Sequence, residues 1–475
     1  MNILLISTNR SKQPVPVMPI GACIVAEAAE KAGHGVRLLD LMFHKEPLNA
    51  LESELQKSNP DLIGLSVRNI DNNDMKNPVE FFKDLPSLIE MIRSKTQAPI
   101  VLGGSAVSVM PEELLQYSGL TLAVPGDGEI VFPELLKALS GNESLDNVPG
   151  TAILKNNTFK KNPHSSRQIL DGCLIPDFYK WVDVDSYLSN LSTIPVQSKR
   201  GCPYNCIYCT YPMGEGREYR LCDPESVVKA IKKSASFGLR NFEFVDNVFN
   251  SPYDHAMAIC ENLSRAGLNI CLQSLELNPL LIDDELLSAM EHAGFVGIGV
   301  TVESASGTVL NRLRKGFSVD HVYNAAHVIR RHKLPCVWIF MFGGPGETKE
   351  TVQETFNFAD RYIRPRDVAF FNVGIRIYPG TELERLAREQ GVLTLPQEEM
   401  LKPVFYFSPT LDVKWLMKKL QEAMTTHMNY ISTNSLSLSY LSLIHRISYR
   451  LGVKPPLWRH TRFIRRGLRF FGADA

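Results

Sequence analysis

Cysteine is scarce in this sequence, and neither sign of charge is in excess. Nine cysteines among 475 residues are too few, and odd in number, for a scaffold built on disulfide bonds. Lysine plus arginine and aspartate plus glutamate total 51 each, so the overall charge indicates no acidic or basic partner. The cysteine usage predicts a cytoplasmic, reducing environment.

Long apolar segments are absent as well. The N-terminal stretch MNILLISTNR lacks the apolar core and the small-residue cleavage site of a secretory signal. We find no run of about 18 apolar residues, the length needed to span a bilayer. With 44% hydrophobic and 21% charged residues, the composition is typical of a soluble globular protein, and the length predicts two or three domains.

Three of the cysteines lie within one short stretch. Cys202, Cys206 and Cys209 form a C-x3-C-x2-C pattern within KRGCPYNCIYCT. Three thiolates so close can bind one metal centre, and soft sulfur ligands select iron–sulfur clusters, zinc or copper(I). A structural zinc site closes with four protein ligands, and Cys222 is the only nearby candidate for the fourth. We therefore favour a [4Fe-4S] cluster with one iron left open, over zinc or purely structural thiols.

Residues 1–140 alternate short apolar runs with amphipathic segments, which predicts a doubly wound parallel sheet. The predicted strands cover residues 3–6, 36–39, 62–66, 100–102 and 122–124, and the predicted helices cover residues 20–31, 48–57, 78–94 and 111–116. Ligands bind at the carboxyl ends of the strands in such sheets. The dinucleotide-binding pattern G-x-G-x-x-G does not follow the first strand.

The cysteine motif, with an aromatic residue at Tyr208, is similar to the cluster motif of the radical S-adenosylmethionine (radical SAM) enzymes. In that family the open iron chelates S-adenosylmethionine. The preceding domain resembles the cobalamin-binding domain of the B12-dependent members, through Pro19-Ile-Gly21, Gly33-His-Gly-Val36, the Gly103-Gly104 turn and Gly126-Asp-Gly-Glu129. The resemblance implies cobalamin contacts from Arg68, Asn69, Gly103, Gly104, Ser105, Gly126, Gly128 and Glu129. The alternative is a Rossmann-like domain that only packs against the catalytic one.

The loop at residues 66–72 follows the central third strand, which would place it beneath a corrin ring. The D-x-H-x-x-G element that supplies a histidine ligand to cobalt in other B12 enzymes is not found, so the resemblance implies cobalamin without that ligand. The loop resembles that of the tryptophan C2-methyltransferase type, in which an arginine occupies the lower face of cobalt. Arg68 would then keep the lower position open, because arginine does not give up its proton. The alternative is an arginine paired with an acidic side chain at the loop edge.

Six strand-like runs in residues 193–385 predict the partial (β/α)6 barrel of the radical SAM family. They lie near residues 194–198, 241–246, 268–274, 296–302, 335–342 and 368–377. The resemblance implies contacts near S-adenosylmethionine from Tyr208, Gln273, Glu303, Gly343, Gly344 and Tyr378. Glu347 is expected to cap the helix that follows it. Residues 141–192 are interpreted as a linker with one hairpin near residues 151–159.

Residues 386–475 match no pattern, and we expect a mainly helical region on the substrate side of the barrel. The tail is basic, with one acidic residue, Asp474, against Arg446, Arg450, Lys454, Arg459, Arg462, Arg465, Arg466 and Arg469. Such a segment suits peripheral contact with an anionic membrane or an acidic partner. We favour the alternative, an amphipathic helix docked on the domain. No RNA-binding module is recognised, so nucleic acid is not expected.

The resemblance implies a cobalamin-dependent radical SAM methyltransferase, which moves a methyl group from S-adenosylmethionine, through methylcobalamin, to an unactivated carbon or a similar centre. Its expected partners are a small-molecule, lipid or peptide substrate and an electron donor such as flavodoxin or ferredoxin. Two alternatives remain open. One is a B12-dependent rearrangement or cyclisation without methyl transfer, and the other is a non-catalytic module that senses cobalamin or redox state.

Overall fold

The computed structural model describes residues 1–141, 143–164, 175–436 and 441–470. The first part of the chain contains β1 (Asn2–Ser7), α1 (Ile20–Lys31), β2 (Gly35–Asp40), α2 (Pro47–Ser58), β3 (Leu62–Ser66), α3 (Leu85–Lys95), β4 (Ile100–Gly103), α4 (Ser105–Val109), α5 (Pro111–Ser118), β5 (Leu122–Val124), α6 (Gly128–Ser140), β6 (Ala152–Lys155), β7 (Thr158–Lys161), α7 (Phe178–Trp181) and α8 (Val184–Leu188).

The second part contains β8 (Ile194–Val196), β9 (Lys199–Arg200), α9 (Tyr211–Glu215), β10 (Arg220–Leu221), α10 (Pro224–Ser236), β11 (Asn241–Phe244), α11 (Tyr253–Ala266), β12 (Cys271–Leu277), α12 (Asp284–Ala293), β13 (Phe295–Glu303), α13 (Gly307–Arg312), α14 (Val319–Arg331), β14 (Cys336–Phe342), α15 (Lys349–Tyr362), β15 (Val368–Val373), β16 (Ile375–Arg376), α16 (Glu382–Glu389), β17 (Phe405–Tyr406), α17 (Val413–Thr426), β18 (Tyr430–Ser432), α18 (Leu441–Arg450) and α19 (Thr461–Phe470).

The N-terminal sheet has the strand order β2-β1-β3-β4-β5-β6-β7. Strands β1 to β5 are parallel, as the alternating pattern predicts, and β6 and β7 form the expected hairpin, which pairs antiparallel with β5. The hairpin thus extends the first sheet beyond residue 140. Because the strands are parallel, their carboxyl ends lie along one edge, and this edge faces the second sheet.

The helix predicted at residues 78–94 begins only at Leu85. Polar side chains in the preceding loop bind the backbone instead: Asn72 accepts from the N–H groups of Asp74 and Val79, and Asp74 accepts from those of Lys76 and Asn77. Such local hydrogen bonds compete with helix formation. The loop therefore keeps an irregular fold beside the central strand β3.

The second sheet is parallel throughout, with the order β18-β15-β14-β13-β12-β11-β8. The six predicted strands are present, and a seventh, β18, joins from the C-terminal region by pairing with β15. Strands β8 and β18 are the two ends of the sheet, so the barrel is partial and open on one side. The N-terminal domain packs against the second through shared apolar clusters, and buried ion pairs also join the two domains.

A buried carboxylate, Asp127, joins the two sheets. It lies at the carboxyl end of β5 and is 3% exposed. Arg200 of β9 and Arg220 of β10 both donate to it, at 2.7 Å each, and Arg200 also pairs with Glu129. The paired arginines lower the pKa of the Asp127 carboxyl against the opposing effect of burial. The strands that flank the cysteine loop are therefore fixed to the N-terminal domain.

The C-terminal region is docked on the barrel through its inner face, as expected for an amphipathic helix. Arg465 of α19 is 4% exposed and donates to the carbonyl oxygens of Met424, His427 and Tyr430. Arg469 donates to those of Met424 and Thr425. Cations at the carboxyl end of α17 satisfy carbonyl groups that the helix itself leaves unpaired. Within the described ranges, no helix is long and apolar enough to cross a membrane.

Replacing Asp127 by alanine should destabilise the protein by about 3 kcal/mol, because two buried arginines would lose their shared partner. Chemical denaturation of the full chain measures this change in the free energy of unfolding. Asp146→Ala is the matched control, since Asp146 pairs with Lys155 at the exposed surface and should change stability little. Equal stabilities of the two variants would contradict a structural role for the Asp127 cluster.

Candidate functional site

The cysteine loop begins at a glycine that no other residue could replace without rearrangement. Gly201 has a φ of +85°, and a Cβ atom there would lie 1.9 Å from the carbonyl oxygen of Glu218. The loop is then held by backbone hydrogen bonds from Cys202 to Gly216 (3.0 Å) and from Ile207 to Leu313 (3.2 Å). These contacts fix the path of the chain between β9 and α9.

The three cysteines of the motif are free thiols at one place. Cys202 is buried and Cys206 and Cys209 are partly buried. Burial and, to a smaller extent, the two neighbouring thiols of the motif raise the pKa of Cys209 to about 12. Among the described residues, no three His, Cys, Asp or Glu side chains are placed to hold a single metal ion. The thiolates of an iron–sulfur cubane bind different irons, so a cluster does not require that convergence.

Behind the cysteine loop lies a network of three ionisable groups. Tyr208 donates to the carboxylate of Glu303 at 2.6 Å, and Lys315 donates to both Tyr208 (3.0 Å) and Glu303 (3.1 Å). Glu303 ends β13 with a φ of +62°, a strained conformation for a non-glycine residue. Burial lowers the pKa of Lys315, but Tyr208 and Glu303 outweigh it and hold that pKa well above its ordinary value. Lys315 lies outside the sequence motifs, so its part in this network could not be predicted from them.

The glycine turn after β14 encloses a buried carboxyl group. Gly343 and Gly344 both donate their backbone N–H groups to Glu347, the second at 3.1 Å. The expectation that Glu347 caps the next helix is wrong, because Thr348 is the N-cap of α15. Glu347 is fully buried, and burial raises its pKa to about 8. The carboxyl group therefore shapes the turn from inside.

A cavity of about 600 Å³ lies between the two domains. Loops of the N-terminal domain, including Arg68 and Asn69, form one wall. Arg68 has exposed side-chain surface because it faces this interior space. In the described part of the chain, no protein group is hydrogen bonded to the Arg68 guanidinium and none pairs with it as a salt bridge. The interpretation of Arg68 as an ion-paired residue at a loop edge is therefore wrong.

The barrel wall of this cavity carries a chain of hydrogen bonds. Thr193 and Gln273 donate to the same Glu243 oxygen, at 2.6 Å and 2.8 Å, and Trp458 donates to Gln273 at 3.2 Å. Burial raises the pKa of Glu243. Helix α11 runs to Ala266, and β12 therefore starts only at Cys271. Gln273 lies near the start of β12 and not, as predicted, at its carboxyl end. Gln273 therefore connects the barrel interior to the C-terminal tail.

The other predicted cofactor residues lie along the edge between the domains. Gly104 packs on β3, where a Cβ atom would lie 2.4 Å from the Val67 carbonyl oxygen. Ser105 begins α4, which packs against α9, and Gly126 faces Gly214 of α9. Gly103, Gly104, Ser105, Gly126, Gly128 and Glu129 are not among the side chains that line the cavity. They remain predictions as cofactor contacts. Gly103 and Gly104 lie against Val67, the residue before Arg68, whereas Gly126 faces α9, which follows the cysteine loop.

Tyr378 connects the second sheet to the Arg68 loop. Its hydroxyl group donates to Asn73 at 3.1 Å, and the Arg376 guanidinium lies over its ring at 4.9 Å. Arg376 is 5% exposed and donates to the buried Asp71 at 2.8 Å. Both residues therefore hold the loop that carries Arg68 against the barrel.

The two domains of this chain each match a known protein family. Residues 8–136 match the B12 binding domain, and residues 196–359 match the radical SAM superfamily. The chain contains a B12-binding domain followed by a radical SAM domain. The prediction from the cysteine motif and the N-terminal glycine turns is confirmed at this level.

Two known proteins resemble this chain along most of its length. An uncharacterized methyltransferase of Pyrococcus horikoshii is 25% identical over 382 residues, 79% of each chain. Tryptophan 2-C-methyltransferase of Streptomyces laurentii is 24% identical over 459 residues, 83% of this chain and 76% of the relative.

Solved structures show that the likeness in fold extends through the C-terminal region. The radical S-adenosylmethionine methyltransferase TsrM of Kitasatospora setae, with cobalamin and a [4Fe-4S] cluster bound, superposes with a TM-score of 0.84 at 23% identity and covers 97% of both chains. The cobalamin-dependent radical enzyme OxsB, with aqua-cobalamin and S-adenosylmethionine bound, gives 0.71 at 17% identity, over 99% of this chain and 75% of OxsB. These likenesses confirm the predicted fold.

Glu347 should give the protein a characteristic dependence of stability on pH. Its carboxyl group binds a proton more tightly in the folded chain than in the unfolded one, so its contribution to stability is full at low pH and is lost as pH rises from about 4.5 toward 8. Between these values, the free energy of unfolding should fall by about 1 kcal/mol or more further in the wild type than in Glu347→Gln.

The control for this measurement is Glu350→Gln, because Glu350 lies at the exposed start of the same helix and its pKa is lowered. That variant should keep the wild-type slope across the same pH range. Parallel profiles for wild type and Glu347→Gln would show that Glu347 is ionised in the folded protein.

Proposed function

We propose that this chain is a cobalamin-dependent radical SAM methyltransferase, which transfers a methyl group from S-adenosylmethionine, with cobalamin as the carrier, to an unactivated carbon or a similar centre. The observation that carries the proposal is the cavity between the two domains. Arg68 of the B12-binding domain lines it together with Glu243 and Gln273 of the radical SAM domain. Groups from both domains therefore border the same interior space.

The residues around the cysteine motif fit a [4Fe-4S] cluster with one open iron. Cys202, Cys206 and Cys209 would hold it. Cys222 is buried beside β8, where its backbone N–H donates to Ser198, and it is not among the thiols that shift the pKa of Cys209. When bound, the cluster supplies an open metal corner and an electron for S-adenosylmethionine.

Groups suited to bind S-adenosylmethionine lie beside the cysteine loop. Glu303 presents a carboxylate that can accept from ammonium or hydroxyl groups, and Tyr208 and Lys315 fix its orientation. Gly343 and Gly344 leave backbone free of side chains at the carboxyl end of β14. We propose that these groups hold the amino acid and ribose portions of the ligand.

The cavity between the domains fits one face of a large planar ligand such as cobalamin. Its N-terminal wall is formed by residues 9–17 and 68–73 and includes no histidine. Arg68 reaches into it without a hydrogen-bonding partner in the described chain and cannot act as a metal ligand. We propose that Arg68 and Asn69 lie beneath the corrin ring and that Arg68 keeps the lower position of the metal open.

The remaining wall is suited to a substrate with an apolar body. Apolar side chains of β14, β15 and β18 line it, with a few polar groups among them. Glu243, Gln273 and Trp458 form the ordered polar part, which can orient a substrate. The substrate class stays open between a small molecule, a lipid and a peptide. We further propose a cytoplasmic location and an electron donor such as flavodoxin or ferredoxin.

Cys206→Ala should lose the visible absorbance and most of the iron of the anaerobically reconstituted protein, because a cluster needs all three thiolates. Cys222→Ala is the matched control and should retain iron and acid-labile sulfide at the wild-type level. Iron content and absorbance spectra check both. If Cys222→Ala also loses its iron, then Cys222 is a ligand and the cluster has no open corner.

The methyl-transfer proposal can be tested before the substrate is known. Protein reconstituted with cluster and reduced cobalamin, and supplied with S-adenosylmethionine carrying a deuterated methyl group, should transfer the label to the corrinoid and form one S-adenosylhomocysteine for each label. Mass spectrometry of the extracted corrinoid measures this, with a reaction lacking cobalamin as control. Release of 5′-deoxyadenosine without any S-adenosylhomocysteine would instead favour a rearrangement or cyclisation.

A further inference from the structure

The two helices of the basic tail, α18 and α19, have faces of different character. Their inner faces line the cavity through Ile444, His445, Ile464 and Leu468. The buried Arg465 fixes α19 to the end of α17. Both helices therefore have a defined outer face, directed away from the barrel.

The outer face of α18 carries an exposed aliphatic stripe. Leu443 and Ile447 of α18, and Leu451 directly after its last residue, recur every four residues and are 58%, 49% and 76% exposed. The backbone N–H of Leu451 donates to the Ile447 carbonyl oxygen, so the helical spacing continues to Leu451. Residues four apart lie on one face of a helix, so the three side chains form a continuous ridge. On α19, Phe463 is 75% exposed. A continuous ridge of exposed large apolar side chains is uncommon unless it contacts a partner.

Arginines flank these apolar side chains. Arg446 and Arg450 border the stripe on α18, and Arg462 and Arg466 border Phe463 on α19, all four exposed. Residues 441–470 contain no aspartate or glutamate. Within the described chain, none of the four arginines forms an ion pair. Arg446 also lies near Lys12 and lowers the pKa of that residue, so the positive surface continues onto the N-terminal domain.

We propose that the outer face of α18 and α19 docks on the surface of a lipid bilayer that contains anionic lipids. A bilayer interface accepts apolar side chains among the acyl chains and pairs arginines with headgroup phosphates in the same plane. An acidic protein or a nucleic acid would use the arginines but leave the aliphatic ridge in water. The combination of ridge and flanking cations therefore selects the bilayer.

The docking can be measured on the reconstituted full chain without any substrate, so it stands or fails separately from methyl transfer. The probe is a vesicle of phosphatidylcholine, with or without one part in four of phosphatidylglycerol. Flotation with the anionic vesicles should exceed flotation with the neutral ones, with an apparent affinity about tenfold or more higher. Raising the salt concentration should reduce this difference.

Two variants separate the two parts of the surface. Leu443→Ser with Ile447→Ser and Phe463→Ser should weaken binding to both kinds of vesicle. Arg446→Gln with Arg450→Gln, Arg462→Gln and Arg466→Gln should remove the preference for anionic lipid. The control, Lys232→Gln with Lys233→Gln and Phe237→Ser, alters exposed residues at the end of α10 and should bind as the wild type does.

Three outcomes would overturn the proposal. In the first, the wild type does not float with anionic vesicles. In the second, the control variant loses as much vesicle binding as the two test variants do. In the third, the chain binds a single-stranded RNA oligonucleotide in fluorescence anisotropy while it does not bind vesicles, and the arginine variant abolishes that binding. That third result would assign the surface to nucleic acid.

Discussion

Two buried carboxylates hold the carboxyl edge of the first parallel sheet against the second domain. Asp127 binds Arg200 and Arg220, on the two short strands beside the cysteine loop, and Asp71 binds Arg376 of β16, the short strand that follows β15. Buried ion pairs contribute little net stability compared with apolar packing, but they tolerate only one geometry. They therefore set the relative position of the cysteine loop and the Arg68 loop. A site assembled from two domains depends on that position, since small displacements separate reacting groups.

The parts of this site that repeat a local pattern could be predicted from the sequence. The strands β3 and β5 have the predicted bounds, and the three cysteines lie on one loop, because both depend on neighbours in the chain. Features that depend on distant residues could not be predicted. Lys315 joins Glu303 and Tyr208 only after α13 folds back, and β18 pairs with β15 across more than 50 residues. The helix predicted at residues 78–94 begins later, at Leu85, because asparagine and aspartate side chains in the preceding loop replace helical hydrogen bonds.

Strain and unusual protonation both occur where the chain is expected to hold S-adenosylmethionine. Glu303 has a left-handed backbone conformation, and Glu347 is a buried carboxyl with a raised pKa. Glu276, near the end of β12, also has its pKa raised to about 8, by burial and then by Glu303. A cationic ligand placed among these groups would favour their ionised forms. The region is therefore arranged to gain electrostatic energy when a positively charged ligand such as a sulfonium enters.

The C-terminal tail is an integral part of the barrel wall. The ring of Trp458 fills the space beside Gly297, where a Cβ atom would lie 2.6 Å from it. The indole N–H donates to Gln273, whose amide in turn donates to Glu243, so the tail orders a polar chain inside the barrel. Trp458 lies in the segment between α18 and α19, so the same tail supplies both the exposed ridge and this part of the cavity wall.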